Sequence, residues 1–166
     1  RSNPAWFPAV KGAFTYGAHM MTSTMLGYDP GTVLPILGEQ PLLMLGGDRD
    51  GVIEASVVRY GLDGASGTYA LEKTIDESIS GDSGNRFLVV LSGANHFSPV
   101  YPLDETTGRP FLDHPAEGNP ADTRATIAHL IVQFIAGYLL EQPEAKETFQ
   151  AAIGESQNLI ALSKRK

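Results

Sequence analysis

Two short loops carry side chains that together could move a proton. One reads Gly46-Gly47-Asp48-Arg49-Asp50-Gly51 and follows the apolar run Leu42 to Leu45. The other reads Ser92-Gly93-Ala94-Asn95-His96-Phe97-Ser98-Pro99 and follows Phe87 to Leu91. A histidine whose one ring nitrogen is held by a buried carboxylate is a general base. The carboxylate fixes the tautomer and stabilises the imidazolium as it forms, which is what acyl transfer requires. His96 is the candidate base. Asp50 is the first candidate for the acid and Asp48 the second, although aspartates at loop starts also serve as turn residues or helix N-caps. Asn95 and Phe97 are candidates to support the base loop and line a pocket.

The elements that must position these loops follow from punctuation and periodicity. Val10 to Tyr16, Leu42 to Leu45 and Phe87 to Leu91 read as strands. The last two have no polar alternation, which implies burial on both faces, as in a parallel sheet between helices. Glu54 to Tyr60 and Tyr69 to Ile79 are long enough for crossover helices. From Asp122 to Leu140 the residues Ile127, Ile131, Phe134, Ile135, Tyr138 and Leu139 recur at helical spacing. Asp122 or Thr123 is its expected N-cap. Pro143 is expected to start a further helix and Gly154 to end it. The alternation predicts an α/β fold. Ligands of open parallel sheets sit beyond the carboxyl ends of the strands, and both loops lie there.

Other candidates are weaker. His19 ends the first strand, so it and Met20 could reach a pocket; His114 and His129 read as structural or exposed. Met21, Met25, Trp6, Phe7 and Phe14 could line an apolar pocket or belong to the core. Segments 20–40 and 97–121 are long for connections, the second with five prolines, and read as lid or pocket loops. Asp104, Glu105, Asp113, His114 and Asp122 share one loop without a metal-ligand spacing, so no metal and no cofactor is expected. Gly81-Asp82-Ser83-Gly84 imitates a protease nucleophile segment, yet the spacings are too short for that fold, and a turn is expected.

Composition narrows the partners. Nineteen acids against twelve bases leave a formal charge of -7, with the only basic run at Lys164-Arg165-Lys166. Nucleic-acid grooves need clustered Lys and Arg, so that class is disfavoured. The absence of cysteine excludes disulfides, thiolate–zinc sites and thiol catalysis. No apolar stretch approaches the roughly 20 residues of a membrane span.

With these residues in view, the chain resembles the C-terminal half of the α/β-hydrolase superfamily, nearest to its cutinase-like and chlorophyllase-like serine esterases. There an apolar strand leads through small residues to an acid, a spacer and the catalytic Asp, as in Leu42-Leu-Met-Leu-Gly-Gly-Asp48-Arg49-Asp50. A second strand ends in a small-residue turn, then His and an aromatic, as in Leu91-Ser-Gly-Ala-Asn-His96-Phe97-Ser98-Pro99. The resemblance implies the last three parallel strands of the hydrolase sheet with flanking helices, and a Ser-His-Asp triad with Asp50 and His96 as acid and base. The family's nucleophile sits on a G-x-S-x-G elbow upstream, which these 166 residues lack. Gly64-Ala-Ser66-Gly67 and Gly154-Glu-Ser156-Gln-Asn158 do not complete one. The expectation is therefore an incomplete sheet whose first strand needs a neighbour, with an N-terminal fragment or chain supplying the serine for a small-molecule ester. The alternatives are a non-catalytic hydrolase-like binding scaffold, or an amidase or peptidase on the same fold.

Overall fold

The structure is a computed structural model that describes residues 9–104, 106, 110–155 and 159–166. Trp6, Phe7, Glu105, Ser156 and Asn158 lie outside the described residues. Strand β1 (Ala13–Tyr16) leads through a long loop to β2 (Leu42–Gly47), then to helices α1 (Gly51–Val57) and α2 (Gly67–Ser78). Strand β3 (Arg86–Leu91) follows, then α3 (Pro120–Phe134), α4 (Pro143–Glu155) and β4 (Ile160–Arg165). The sheet order is β1-β2-β3-β4, with the first three strands parallel and β4 antiparallel to β3.

The strand period of two sorts the apolar runs into two layers. Leu43, Leu45, Phe87, Val89 and Leu91 face α3 and α4, where Ile127, Leu130, Phe134 and Phe149 complete a core. Leu42, Met44, Leu88 and Val90 face the other way, onto Leu71 and Ile75 of α2 and Ile79 just beyond it. Each fully buried leucine or phenylalanine contributes about 1.5–3 kcal/mol over an exposed one. Phe87 anchors the first layer, with its ring edge-on to Phe134, Tyr138 and Phe149 at 6.3, 5.1 and 5.0 Å.

Three expectations are corrected. The sheet has four strands where three parallel ones are expected: Ile160, Leu162 and Lys164 alternate along β4, which pairs antiparallel to β3. Lys164 bridges Glu72 and Asp76 of α2 at 3.0 and 2.7 Å. Helix α3 begins at Pro120 and is capped by Asn119, whose side chain accepts the Ala121 N–H; proline at the first position loses no bond. It continues as a π-helical turn over Ile135–Leu139. Gly154 lies inside α4, which runs to Glu155.

The two outer strands differ. Strand β4 closes one edge with charged residues, as protected edges do. Among the described residues β2 is the one strand that β1 pairs with, and Phe14 of β1 is 49% exposed. No described helix is long and apolar enough to cross a membrane.

Candidate functional site

The carboxyl ends of β1, β2 and β3 converge on one place. Beyond β2 the chain turns into α1, and Asp50 is the N-cap of that helix: its Oδ1 accepts the Ile53 N–H at 2.8 Å. Its Oδ2 lies 2.9 Å from His96 Nδ1. The cap and the acid are therefore the same residue, one oxygen for each task. Asp50 is only 2% exposed, whereas the His96 side chain remains 28% exposed. An ionised carboxylate can only accept, so Nδ1 carries the proton and Nε2 keeps its lone pair. Among the described residues no hydroxyl hydrogen-bonds to His96.

The electrostatics favour a charged ring. The hydrogen bond to Asp50 raises the His96 pKa above the ordinary histidine value, burial opposes it, and the Asp50 and Asp113 charges add to the rise. A buried carboxylate held against an imidazole stabilises the protonated ring.

The base loop is fastened on every side. Asn95 Oδ1 accepts from the Phe97 N–H and the Ser98 hydroxyl, and its Nδ2 donates to the His114 carbonyl at 2.8 Å. The Tyr16 hydroxyl, at the end of β1, donates to the Asn95 carbonyl at 2.7 Å. Burial, reinforced by Asp50, pushes the Tyr16 pKa well above the usual phenol value, so the hydroxyl stays a donor. Phe97 sets its ring edge-on to His96 at 5.3 Å. Asp48 does not reach the histidine: its Oδ1 accepts the Gly93 N–H at 2.8 Å and ties the two loops together.

Gly17 is the residue that the sequence reading passed over. Its φ of +59° is in the left-handed region. A Cβ there would lie 2.8 Å from His96 Nδ1 and 3.1 Å from Asp50 Oδ2. Only a glycine lets the end of β1 pass beside the pair. In the sequence Tyr16 is a strand residue and Asp113 part of an acidic loop; their contacts span 79 and 62 positions and leave no local signal.

The described residues 110–121 form a strap, pinned across the strand ends. Arg49 donates through Nε to the Pro115 carbonyl at 2.7 Å and pairs with Glu117. The Glu117 N–H donates to the Gly93 carbonyl at 2.8 Å. Between strap, base loop and the start of α3 lies an open cavity of about 520 Å³, lined by Asn95, Phe97, Val100, Tyr101, Leu103 and Arg124 among others. Its walls are largely apolar, and the Arg124 guanidinium lies 4.6 Å over the Tyr101 ring.

The remaining candidates go elsewhere. His19 accepts the Met21 N–H through Nδ1 and sets its ring edge-on to Tyr60 at 4.8 Å. With Met20, Thr15 and Met44 it lines a separate cavity of about 60 Å³; burial lowers its pKa and Asp50 opposes that. Met21 is core, Met25 is 84% exposed, and His129 is exposed on α3. Segment 20–40 is pinned by bonds such as Leu34 N–H to the Met20 carbonyl and Ile36 N–H to the Ser78 carbonyl. Ser66 caps α2 through the Tyr69 N–H, and Ser83 bonds Asn85 in the turn before β3, at the opposite end of the sheet from His96. Among the described residues no group of acidic or histidine side chains could hold a metal ion.

Comparison with known proteins adds no relative: no family model matches the chain, nor does any curated protein or solved structure.

Proposed function

We propose that this chain is the acid-and-base part of a serine hydrolase acting on carboxylic esters. The observation that carries the reading is the 2.9 Å contact between His96 Nδ1 and the buried Asp50, at the carboxyl ends of adjacent parallel strands. A dyad in that orientation offers Nε2 to a hydroxyl.

In the proposed reaction a serine on a partnering N-terminal segment gives its proton to His96 Nε2 as its oxygen attacks the ester carbonyl carbon. The imidazolium, held by Asp50, returns that proton to the departing alcohol oxygen. Water then repeats the cycle: its proton goes to Nε2, its oxygen attacks the acyl carbon, and the proton passes back to the serine. The apolar cavity beside Phe97 would seat a hydrophobic portion of the ester. No cofactor or metal enters this scheme.

A fluorophosphonate probe, which labels activated serines, tests the reading. Labelling of the serine-bearing segment in the assembled protein, abolished by His96→Ala, is the expected result. A folded assembly that stays unlabelled would instead leave a hydrolase-like binding scaffold. Esters and amides offered side by side separate an esterase from an amidase or peptidase.

A further inference from the structure

A second carboxylate, Asp113, stands beside the dyad. Asp113 follows the short helical turn Pro110–Leu112 in the strap, and its Oδ1 accepts the Gly51 N–H at 2.8 Å. Gly51 is the residue after Asp50. The strap presses its backbone directly onto that turn: a Cβ on Gly51 would lie 2.4 Å from the Leu112 carbonyl oxygen and 3.0 Å from Asp113 Cα. The second oxygen, Oδ2, is buried with no hydrogen-bond partner among the described residues. A buried acceptor left unsatisfied is uncommon and calls for a reason.

The surroundings supply one. Among the described residues the titratable groups near this carboxylate are Asp50 at the α1 cap, His96 from the base loop, Tyr16 from β1, which stays neutral, and the neighbouring His114, which is paired to Glu54 of α1. A negative charge placed there repels Asp50 but favours the imidazolium form of His96. Burial raises the pKa of Asp113, the Gly51 amide lowers it, the Asp50 charge raises it again, and the amides of Phe97 and His96 lower it further. Among the described residues the Gly51 amide donates the close hydrogen bond to Oδ1, at 2.8 Å.

We infer that Asp113 is a positioning residue for the dyad, clamping the acid turn to the strap through Gly51 and setting a second carboxylate beside the imidazolium of His96. It rests on the reading of Asp50 and His96 as a working acid–base pair. The strap thus does more than wall the cavity; it couples substrate-facing residues to the acid turn.

The test is an NMR titration of the His96 ring in the protein, in Asp113→Asn and in Asp50→Asn. Asparagine keeps the acceptor for Gly51 and removes only the charge. The expected result is a His96 midpoint lowered by on the order of half a pH unit in Asp113→Asn, and by more in Asp50→Asn. Asp113→Ala, which also loses the acceptor, is expected to cut kcat for an ester about tenfold with KM little changed, and Asp113→Asn to recover most of that loss. An unmoved His96 midpoint in folded Asp113→Asn, with Asp50→Asn shifted, overturns this inference alone. An unmoved midpoint in Asp50→Asn overturns the dyad reading itself. If Asp113→Ala does not fold, the asparagine titration still decides.

Discussion

Two histidine–carboxylate pairs share the first turn of α1 and are nearly equal in length. His96 Nδ1 lies 2.9 Å from Asp50, which caps the helix; His114 Nε2 lies 3.0 Å from Glu54, which sits in its first turn. Their surroundings separate them. The Asp50 side chain is 0% exposed, whereas Glu54 and His114 are 50% and 48% exposed. Water screens the second pair, and pairs of that kind contribute about 0.2–1 kcal/mol. The first pair has a buried carboxylate with both oxygens engaged, so the ring is held in one orientation and one tautomer. Distance alone does not separate the two pairs; burial of the carboxylate does.

The sharpest way to break that contrast is Asp50→Asn, expected to lower ester turnover by about 10⁴. Asp48→Asn, which keeps an oxygen for Gly93, is expected to lose less than about tenfold; equal losses would end the assignment. The same pair of proteins separates by pH. Catalysis by the base needs neutral imidazole, so activity falls as pH drops through the His96 pKa. That pKa is raised, chiefly by the Asp50 hydrogen bond. The acid limb of kcat/KM is therefore expected above the ordinary histidine value of about 6.5, and lower in Asp50→Asn wherever residual activity can be followed.

Gly17→Val is expected next, with a loss of about 10²-fold in kcat, because the new side chain displaces the dyad by a fraction of its own contact distance. Tyr16→Phe removes the hydroxyl under the base loop and leaves the Asn95 carbonyl unpaired. A loss of about 1–3 kcal/mol in stability, read by denaturant titration, and of about tenfold in kcat is expected. Glu54→Gln should change kcat by less than about twofold and stability by well under 1 kcal/mol. A large effect there would show that the exposed pair matters after all, and the burial argument would lose its force.

Much of this arrangement was legible before any coordinates. Leu42 to Leu45 and Phe87 to Leu91 announce themselves as buried parallel strands because nothing polar interrupts them, and the loops behind them carry Asp50 and His96. Strand β4 was not legible, since Lys164, Arg165 and Lys166 look like a solvated tail until α2 supplies Glu72 and Asp76. The α3 start is not visible in the pattern, because its apolar period begins only at Ile127, about two turns after Asn119. Gly17 stands just past the end of the first strand and carries no signal of its own. Its reason is a neighbour far along the chain, and the same holds for Asp113 on Gly51. The sequence pattern reports what a residue repeats, and these residues repeat nothing.

The Tyr16 hydroxyl has one more consequence. It connects the outermost parallel strand to the peptide just ahead of His96, so that strand and imidazole are mechanically in series. Any polypeptide that laid itself along the side of β1 away from β2 would stiffen the tether from one end, and the imidazole at the other end would feel it as a change in alignment. Assembly and readiness to react would then be a single event.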